Sequence, residues 1–425
     1  MQNFMKKNWD LETIQFVSSP PQKSIIEKVF TGREKEIDTM ISSIIDSPHR
    51  VIINGLFGVG KTVFIKESQR RLQLRKKNKI IFIEESLSDI DSELSSVILR
   101  GLVKALKDED QFANDIYNQL CGKLYSRKEK RKYNNELKVG FFRILGGKTS
   151  QNRAYEIETS LNSTIDPSIV IKELIEKAVN FTKDRRIIIA IDDIDKNHDP
   201  KTIKDLFIRS RDLLHIPECS FIFTGHPIGV MKDIYSSAGG IIDREIDINP
   251  MDERTLQLLI VRYLSAGRPK HILKRRYPQK IDNLNEKDFI PFEKDSIDEI
   301  IKKSYGIPRV LNIICYNILH EAAIREYKKI SINELRICWN ACKDKIQRGI
   351  RPDFRSLIEY MSTTIESFNL DTISDLSLDG LMDTMQIDTK DQLLGILNNA
   401  VKNDLLITTK NNRELVLHSI IKDFD

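Results

Sequence analysis

The chain has 425 residues, 40% of them hydrophobic and 30% charged, with 18 Gly and 13 Pro. That composition excludes a fibrous or wholly disordered chain and gives room for two or three packed domains. A net charge of +5, from 67 basic against 62 acidic residues, is too even to imply nucleic-acid binding by itself.

Cys121, Cys219, Cys315, Cys338 and Cys342 are scattered and show no zinc spacing. Cys338 and Cys342 lie four apart, which suits one face of a helix better than a metal site. Free thiols fit a reducing compartment. The start, "MQNFMKKNWDLETIQF", lacks the apolar run of a signal peptide. No stretch approaches the roughly 20 apolar residues that span a bilayer. The expectation is a soluble, cytoplasmic protein without a membrane partner.

In chain order, residues 1–29 read as a lead-in segment broken by "SSPPQ". "FTGREKEIDTMISSII" then places Ile37, Met40, Ile41, Ile44 and Ile45 at helical spacing. Short apolar runs follow at "RVIING", "KIIFIEES", "RRIIIAIDDID", "CSFIFTGHP" and "REIDINP", separated by helical patterns. Continuous apolar strands alternating with helices predict a parallel sheet covered on both faces, over residues 30–250. Residues 108–164 break this regularity and read as an insertion. They contain the charge run "SRKEKRKYNN", and "ELKVGFFRIL" with "AYEIETSL" could pair as a hairpin.

Beyond Pro250 the strands stop and four helical patterns make a lid over 251–351, the last opened by a Ser331–Glu334 capping box. Residues 352–425 give three helices and then "LLITTKNNRELVLHS", two strands around an Asn-Asn turn. That is the order of a winged-helix domain. The fold class expected is α/β, a parallel-sheet P-loop NTPase core with a helical lid and a C-terminal winged helix.

The chemistry is concentrated in a few short motifs. "GLFGVGKT" supplies Gly55, Gly60, Lys61 and Thr62 in the G-x-x-x-x-G-K-[ST] pattern, after an apolar strand and before a helix. Its glycines, with Gly58 among them, let backbone N–H groups face phosphate oxygens, and the helix start through Val63 adds a positive dipole end. Lys61 would bridge the terminal phosphates and Thr62 would ligate magnesium.

"IIIAIDDID" ends an apolar strand in acids. Asp192 suits a magnesium held through water. Asp193 suits activation of the attacking water, with a helix cap as the competing reading. Asp195 is either a contact to a neighbouring subunit or an exposed loop acid. "FIFTGHP" puts a polar side chain at a strand's carboxyl end, Thr224 first and His226 second. Arg309 in "GIPRVLN" could reach the γ-phosphate from a lid helix, or form an ordinary ion pair. Arg244 in "GGIIDREIDI" could act on a neighbouring subunit's nucleotide; Arg209 and Arg211 compete for that role. Gly32 and Arg33 in "FTGREKEI" would bring a loop against base and ribose.

The ordered set "TGREKE", "GLFGVGKT", "IIIAIDDID", "FIFTGHP" and "GIPRVLNIIC" resembles the AAA+ superfamily over residues 30–349. More narrowly it is similar to the group holding the origin-recognition initiators, the ExeA-like ATPases and the STAND signalling ATPases. The resemblance implies ATP and Mg²⁺ as ligands and assembly into rings, arcs or filaments. It implies an adenine-contacting element at 31–36, Walker A at 55–62, Walker B at Asp192 and Asp193, sensor 1 at Thr224 and sensor 2 at Arg309. Asp-Asp stands where many AAA+ motors carry Asp-Glu, which points to slow turnover.

Two functions compete, with a nucleotide-dependent scaffold without turnover as a third. One is an ATP-hydrolysing switch that forms homo-oligomers and engages a separate effector protein, of signalling or antiviral-defence type. The other is a DNA-binding initiator or transposition regulator that uses the winged helix and the basic patch "KHILKRR" at 270–276.

Overall fold

The computed structural model describes residues 1–17, 19–47, 49–75, 80–87, 93–122, 167–180, 186–194, 200–225, 241–269, 284–349, 368–369, 406–411, 414–419 and the single positions 382, 387, 393, 396, 397 and 400. These form two compact units. One comprises Glu36–Asn54 and Ser68–Asp247, the other Met1–Lys35, Gly55–Glu67 and Ile248–Asp425.

The first unit holds the sheet. Strands β1 (Arg50–Gly55), β2 (Ile80–Ser86), β3 (Arg186–Asp192), β4 (Cys219–Gly225) and β5 (Arg244–Ile248) lie in the order β2-β3-β4-β1-β5. The ladders β2/β3, β3/β4 and β1/β4 are parallel. Burial runs the length of the central strands, as in a sheet covered on both faces: every position of β4 is buried, and every position of β3 after Arg186. The register pairs Ile191 with Phe223 and Ile53 with Thr224. The carboxyl ends of β1, β3 and β4 therefore share one sheet edge, where open α/β sheets bind ligands.

The helices of this unit are α3 (Glu34–Asp46), most of α4 (Lys61–Arg75), α5 (Leu94–Leu106), α6 (Gln111–Gly122), α7 (Pro167–Asn180), α8 (Pro200–Arg209) and the short α9 (Arg211–Leu214). On α5, Leu94, Val97, Ile98 and Leu102 form the buried stripe. Helix α6 lies where the sequence showed only irregularity. Its N-terminal signal is Asp110, whose carboxylate accepts from Ala113 N at 2.9 Å, and it places Phe112, Ala113 and Ile116 in the core. The hairpin expected after it lies outside the described residues.

The second unit is helical. Helices α1 (Gln2–Asn8) and α2 (Lys23–Val29) join α10 (Glu253–Ala266), α11 (Lys294–Ser304), α12 (Pro308–Ile324) and α13 (Ile332–Gly349) around one core. Residues from 1–29, among them Met5, Trp9 and Val29, pack into the core of this unit. Trp9 is fully buried, and its Nε1 donates to the carbonyls of Tyr327 and Lys328, each at 3.1 Å. Phe16 stacks on Tyr263 with ring centroids 4.9 Å apart. The expected capping box is present: Ser331 N donates to Glu334 Oε2 at 3.1 Å, and Asn333 N to Ser331 Oγ at 3.3 Å.

In the tail, β6 (Phe368–Asn369), β7 (Leu406–Asn411) and β8 (Glu414–Ser419) form an antiparallel sheet in the order β6-β8-β7. Asn411 pairs with Glu414, which closes the hairpin expected around "KNNR". Leu393, Leu397, Ala400 and Leu406 belong to the lid's hydrophobic core. The three tail helices otherwise lie outside the described residues.

Cys219, Cys315, Cys338 and Cys342 are buried free thiols. Burial raises the pKa of Cys219 and Cys315, and takes Cys338 to about 12. Among the described residues no cluster could hold a metal through His, Cys, Asp and Glu alone, and no helix is long and apolar enough to cross a membrane.

Candidate nucleotide site

Strand β1 ends at Gly55 and helix α4 starts at Lys61, so the whole turn between them takes five residues. Buried Leu56 and Val59 anchor it, and Val59 N donates to Leu56 O at 3.3 Å. Gly58 and Gly60 have φ of +76° and +107°, a region that side-chain-bearing residues rarely adopt. The turn then feeds the first amides of a 15-residue helix, which lack intrahelical acceptors and face an anion favourably.

Lys61 is 6% exposed, and its Nζ donates to Gly55 O at 2.7 Å and Leu56 O at 3.2 Å. The ammonium is thereby held over its own loop, 5.5 Å from the centroid of the Phe57 ring. Thr62 and Val63 are half-buried in the first turn of α4.

The lid meets this loop through backbone. Arg309 N donates to Gly58 O at 3.2 Å. A Cβ on Gly58 would lie 2.8 Å from Arg309 Cβ. Pro308 at the helix start, after Ile307 as N-cap, fixes where α12 begins and so where Arg309 sits.

The Thr31–Gly32–Arg33 turn packs on the lid. A Cβ on Gly32 would come 2.3 Å from Thr255 Cγ2. The buried Arg33 guanidinium donates to Asn249 O, and Arg262 donates to Phe30 O. Both arginines therefore tie the turn to the segment around α10.

In the sheet unit, the end of β3 is bonded to the end of β4. Asp192 is 7% exposed and Thr224 0% exposed. Thr224 Oγ1 donates to Asp192 Oδ1 and accepts from Asp193 N at 2.9 Å. Asp193 N also donates to Asp192 Oδ1 at 3.2 Å, and Ile194 N to Thr224 O at 3.0 Å. Asp193 itself has φ of +54° and a half-buried side chain.

Arg244 stands apart from this cluster, its guanidinium donating to Ser43 Oγ on α3. Arg209 Nε donates to Asp205 O at 3.3 Å within its own helix, and Arg211 is exposed. Asp195, His226 and the 270–276 patch lie outside the described residues.

Asn54, the residue before the loop, went unremarked in the sequence. It is 3% exposed and donates to the carboxylates of Glu245 and Asp247, the latter at 3.3 Å. A polar side chain in an apolar strand beside a phosphate loop was the available signal.

These residues fit a nucleotide with a hard divalent cation. The left-handed glycines and the helix start suit phosphate, and the Thr62 hydroxyl beside them is an oxygen donor suited to Mg²⁺. In the sheet unit, the Asp192 carboxylate is an oxygen donor of the same kind. Residues 33–237, a little under half of the chain, match the KAP family P-loop domain. No curated protein matches the sequence. Among solved structures, Cdc6p from Pyrobaculum aerophilum is 12% identical, with 95% of this chain and 94% of that one covered at a TM-score of 0.41. The Aeropyrum pernix ORC1 protein, solved with DNA, is 12% identical over 95% and 94% at 0.46. The Thermotoga maritima RuvB branch migration motor is 10% identical over 90% and 91% at 0.40.

Proposed function

We propose that this chain, a P-loop NTPase of the AAA+ type, is a slow ATP-hydrolysing switch whose lid reads the nucleotide and controls assembly. The observation that carries the reading is the Arg309 N–H to Gly58 O hydrogen bond, 3.2 Å long, between the phosphate loop and a lid helix. The loop segment Gly55–Glu67 also clusters with the lid in one compact unit. A ligand that reshapes the loop therefore acts on a lid helix directly.

In this reading Lys61 and the loop amides from Gly55 to Thr62 take the phosphates of ATP, with Val63 beside them. Gly32 and Arg33 form the base side. Thr62 and Asp192 would each offer an oxygen to Mg²⁺, which when bound would supply neutralisation of phosphate charge. Asp193 takes the proton of the attacking water. Arg309 reports the γ-phosphate, and Thr224 belongs to the same constellation. Arg244 serves a neighbouring copy after exchanging its bond to Ser43. The effector is a separate protein.

Light scattering at several protein concentrations, with and without ATP and Mg²⁺, tests this. The mass of the wild type should rise with nucleotide, and Lys61→Ala should abolish the rise. Asp193→Asn should keep binding and assembly while turnover falls about 10²-fold or more. A mass indifferent to nucleotide at every concentration sinks the switch.

The antiparallel sheet β6-β8-β7 supports a second reading, in which the tail is a wing that docks on DNA. Binding at about 50 mM salt with a steep decline as salt rises supports it; no binding there removes it.

A further inference from the structure

We propose that Thr224 is a positioning residue, which holds Asp192 and Asp193 in their working geometry and does not touch the nucleotide. A threonine hydroxyl has one proton. Here that proton goes to Asp192 Oδ1, while the oxygen accepts the Asp193 N–H at 2.9 Å. Thr224 is 0% exposed, so its hydroxyl faces protein on all sides. No donor is left over for a phosphate oxygen.

What the hydroxyl does instead follows from Asp193. This residue has φ of +54°, a left-handed conformation uncommon for residues with a side chain. Beside a longer bond from Asp193 N to Asp192 Oδ1 at 3.2 Å, the support comes from β4 at two adjacent points: Thr224 Oγ1 takes the Asp193 N–H at 2.9 Å, and Thr224 O takes the Ile194 N–H at 3.0 Å. The left-handed turn decides where the Asp193 carboxylate points. The bond to Asp192 simultaneously fixes the rotamer of the neighbouring carboxylate. One hydroxyl thus sets both acids. Strand register makes this possible, because Ile191 of β3 pairs with Phe223 of β4 and the next residue on each strand is Asp192 and Thr224.

The inference rests on Asp193 being the water-activating carboxylate and Asp192 the magnesium carboxylate. Its first test needs no nucleotide. Residue-resolved amide hydrogen exchange is measured on wild type, Thr224→Val and Thr224→Ser. Thr224→Val keeps the shape of the side chain and removes the hydroxyl. The Asp193 amide, left in Thr224→Val with only the longer bond to Asp192 Oδ1, should exchange about tenfold faster or more, while the Ile194 amide, bonded to backbone, stays protected. Thr224→Ser should restore the Asp193 amide.

The second test measures ATP and ADP affinities without Mg²⁺, together with turnover. Thr224→Val should lower kcat, leave the ATP-to-ADP affinity ratio within about twofold of wild type, and be rescued by Thr224→Ser. Unchanged exchange at Asp193 in Thr224→Val overturns the proposal. So does a shift of about tenfold or more in the metal-free ATP-to-ADP ratio, which would mean direct phosphate contact. A wild-type protein that binds no nucleotide removes the ATPase reading, and the exchange measurement then decides the positioning role alone.

Discussion

At the scale of single residues, the loop's behaviour turns on Gly58. It combines a φ of +76° with a neighbour, Arg309 Cβ, 2.8 Å from where its own Cβ would stand. Gly58→Ala should therefore cost about 1–3 kcal/mol in strain and weaken nucleotide binding. Arg309→Ala keeps the N–H that bonds Gly58 O, so its effect on stability should be smaller. Thermal unfolding of the two variants checks this; a Gly58→Ala protein as stable as wild type means the loop and lid do not approach so closely. Asp192, Asp193 and Thr224 show the same economy: a single hydroxyl bonds two consecutive residues of the opposite strand end.

At the scale of elements, helix starts decide local stability. The Asp252 carboxylate caps α10, accepting from Thr255 N at 2.8 Å and Thr255 Oγ1 at 2.9 Å. Asp252→Ala should cost about 1 kcal/mol, read from denaturant unfolding. The same bonds make the protein acid-sensitive. The Thr255 backbone N–H lowers the Asp252 pKa, and the Ser331 hydroxyl lowers that of Glu334. At Asp243 burial pushes upward, but the hydrogen bonds and charge of Arg50 outweigh it and the pKa falls. Each carboxyl is more acidic folded than unfolded, where values are about 3.9 for Asp and 4.3 for Glu. Their stabilisation is complete above those values and disappears as pH falls through the lower folded ones. The unfolding midpoint should drop below about pH 4. Asp252→Asn, which still caps but does not titrate, should flatten that decline; an equally steep decline removes Asp252 as a cause.

At the scale of the whole molecule, the chain's first residues are part of the lid. Trp9 lies within the lid core and bonds carbonyls more than 300 residues away in sequence. Trp9→Ala should destabilise the helical unit by about 3–5 kcal/mol. Trp9→Phe, which loses the two N–H bonds but keeps a ring, should cost less. Differential scanning calorimetry separates these cases; a Trp9→Ala protein that melts with wild type means 1–29 is dispensable to the lid.

Sequence and tertiary structure divided the work along a physical line. Whatever depends on neighbours within a few positions was legible in the sequence. The five strands of the parallel-sheet unit, the glycine loop before a helix, the Ser331–Glu334 box and the 406–419 hairpin all belong here, since side-chain period, φ preference and capping act locally. Helix α6 escaped because, among its described side chains, the buried ones are Phe112, Ala113 and Ile116, a thin stripe between polar residues. What depends on distant partners came only from the fold. Nothing local in "MQNFMKKNW" says that Trp9 will be sealed beneath Tyr327 and Lys328. Nothing in "FTG" says that the Thr224 hydroxyl will face Asp192 and Asp193 across a strand pair, because that contact exists only once the register between β3 and β4 is set. The sequence by itself determined which chemical groups are present and where the glycine turn between strand and helix falls. The tertiary structure decided which group holds which, since that is a matter of packing between segments far apart in the chain.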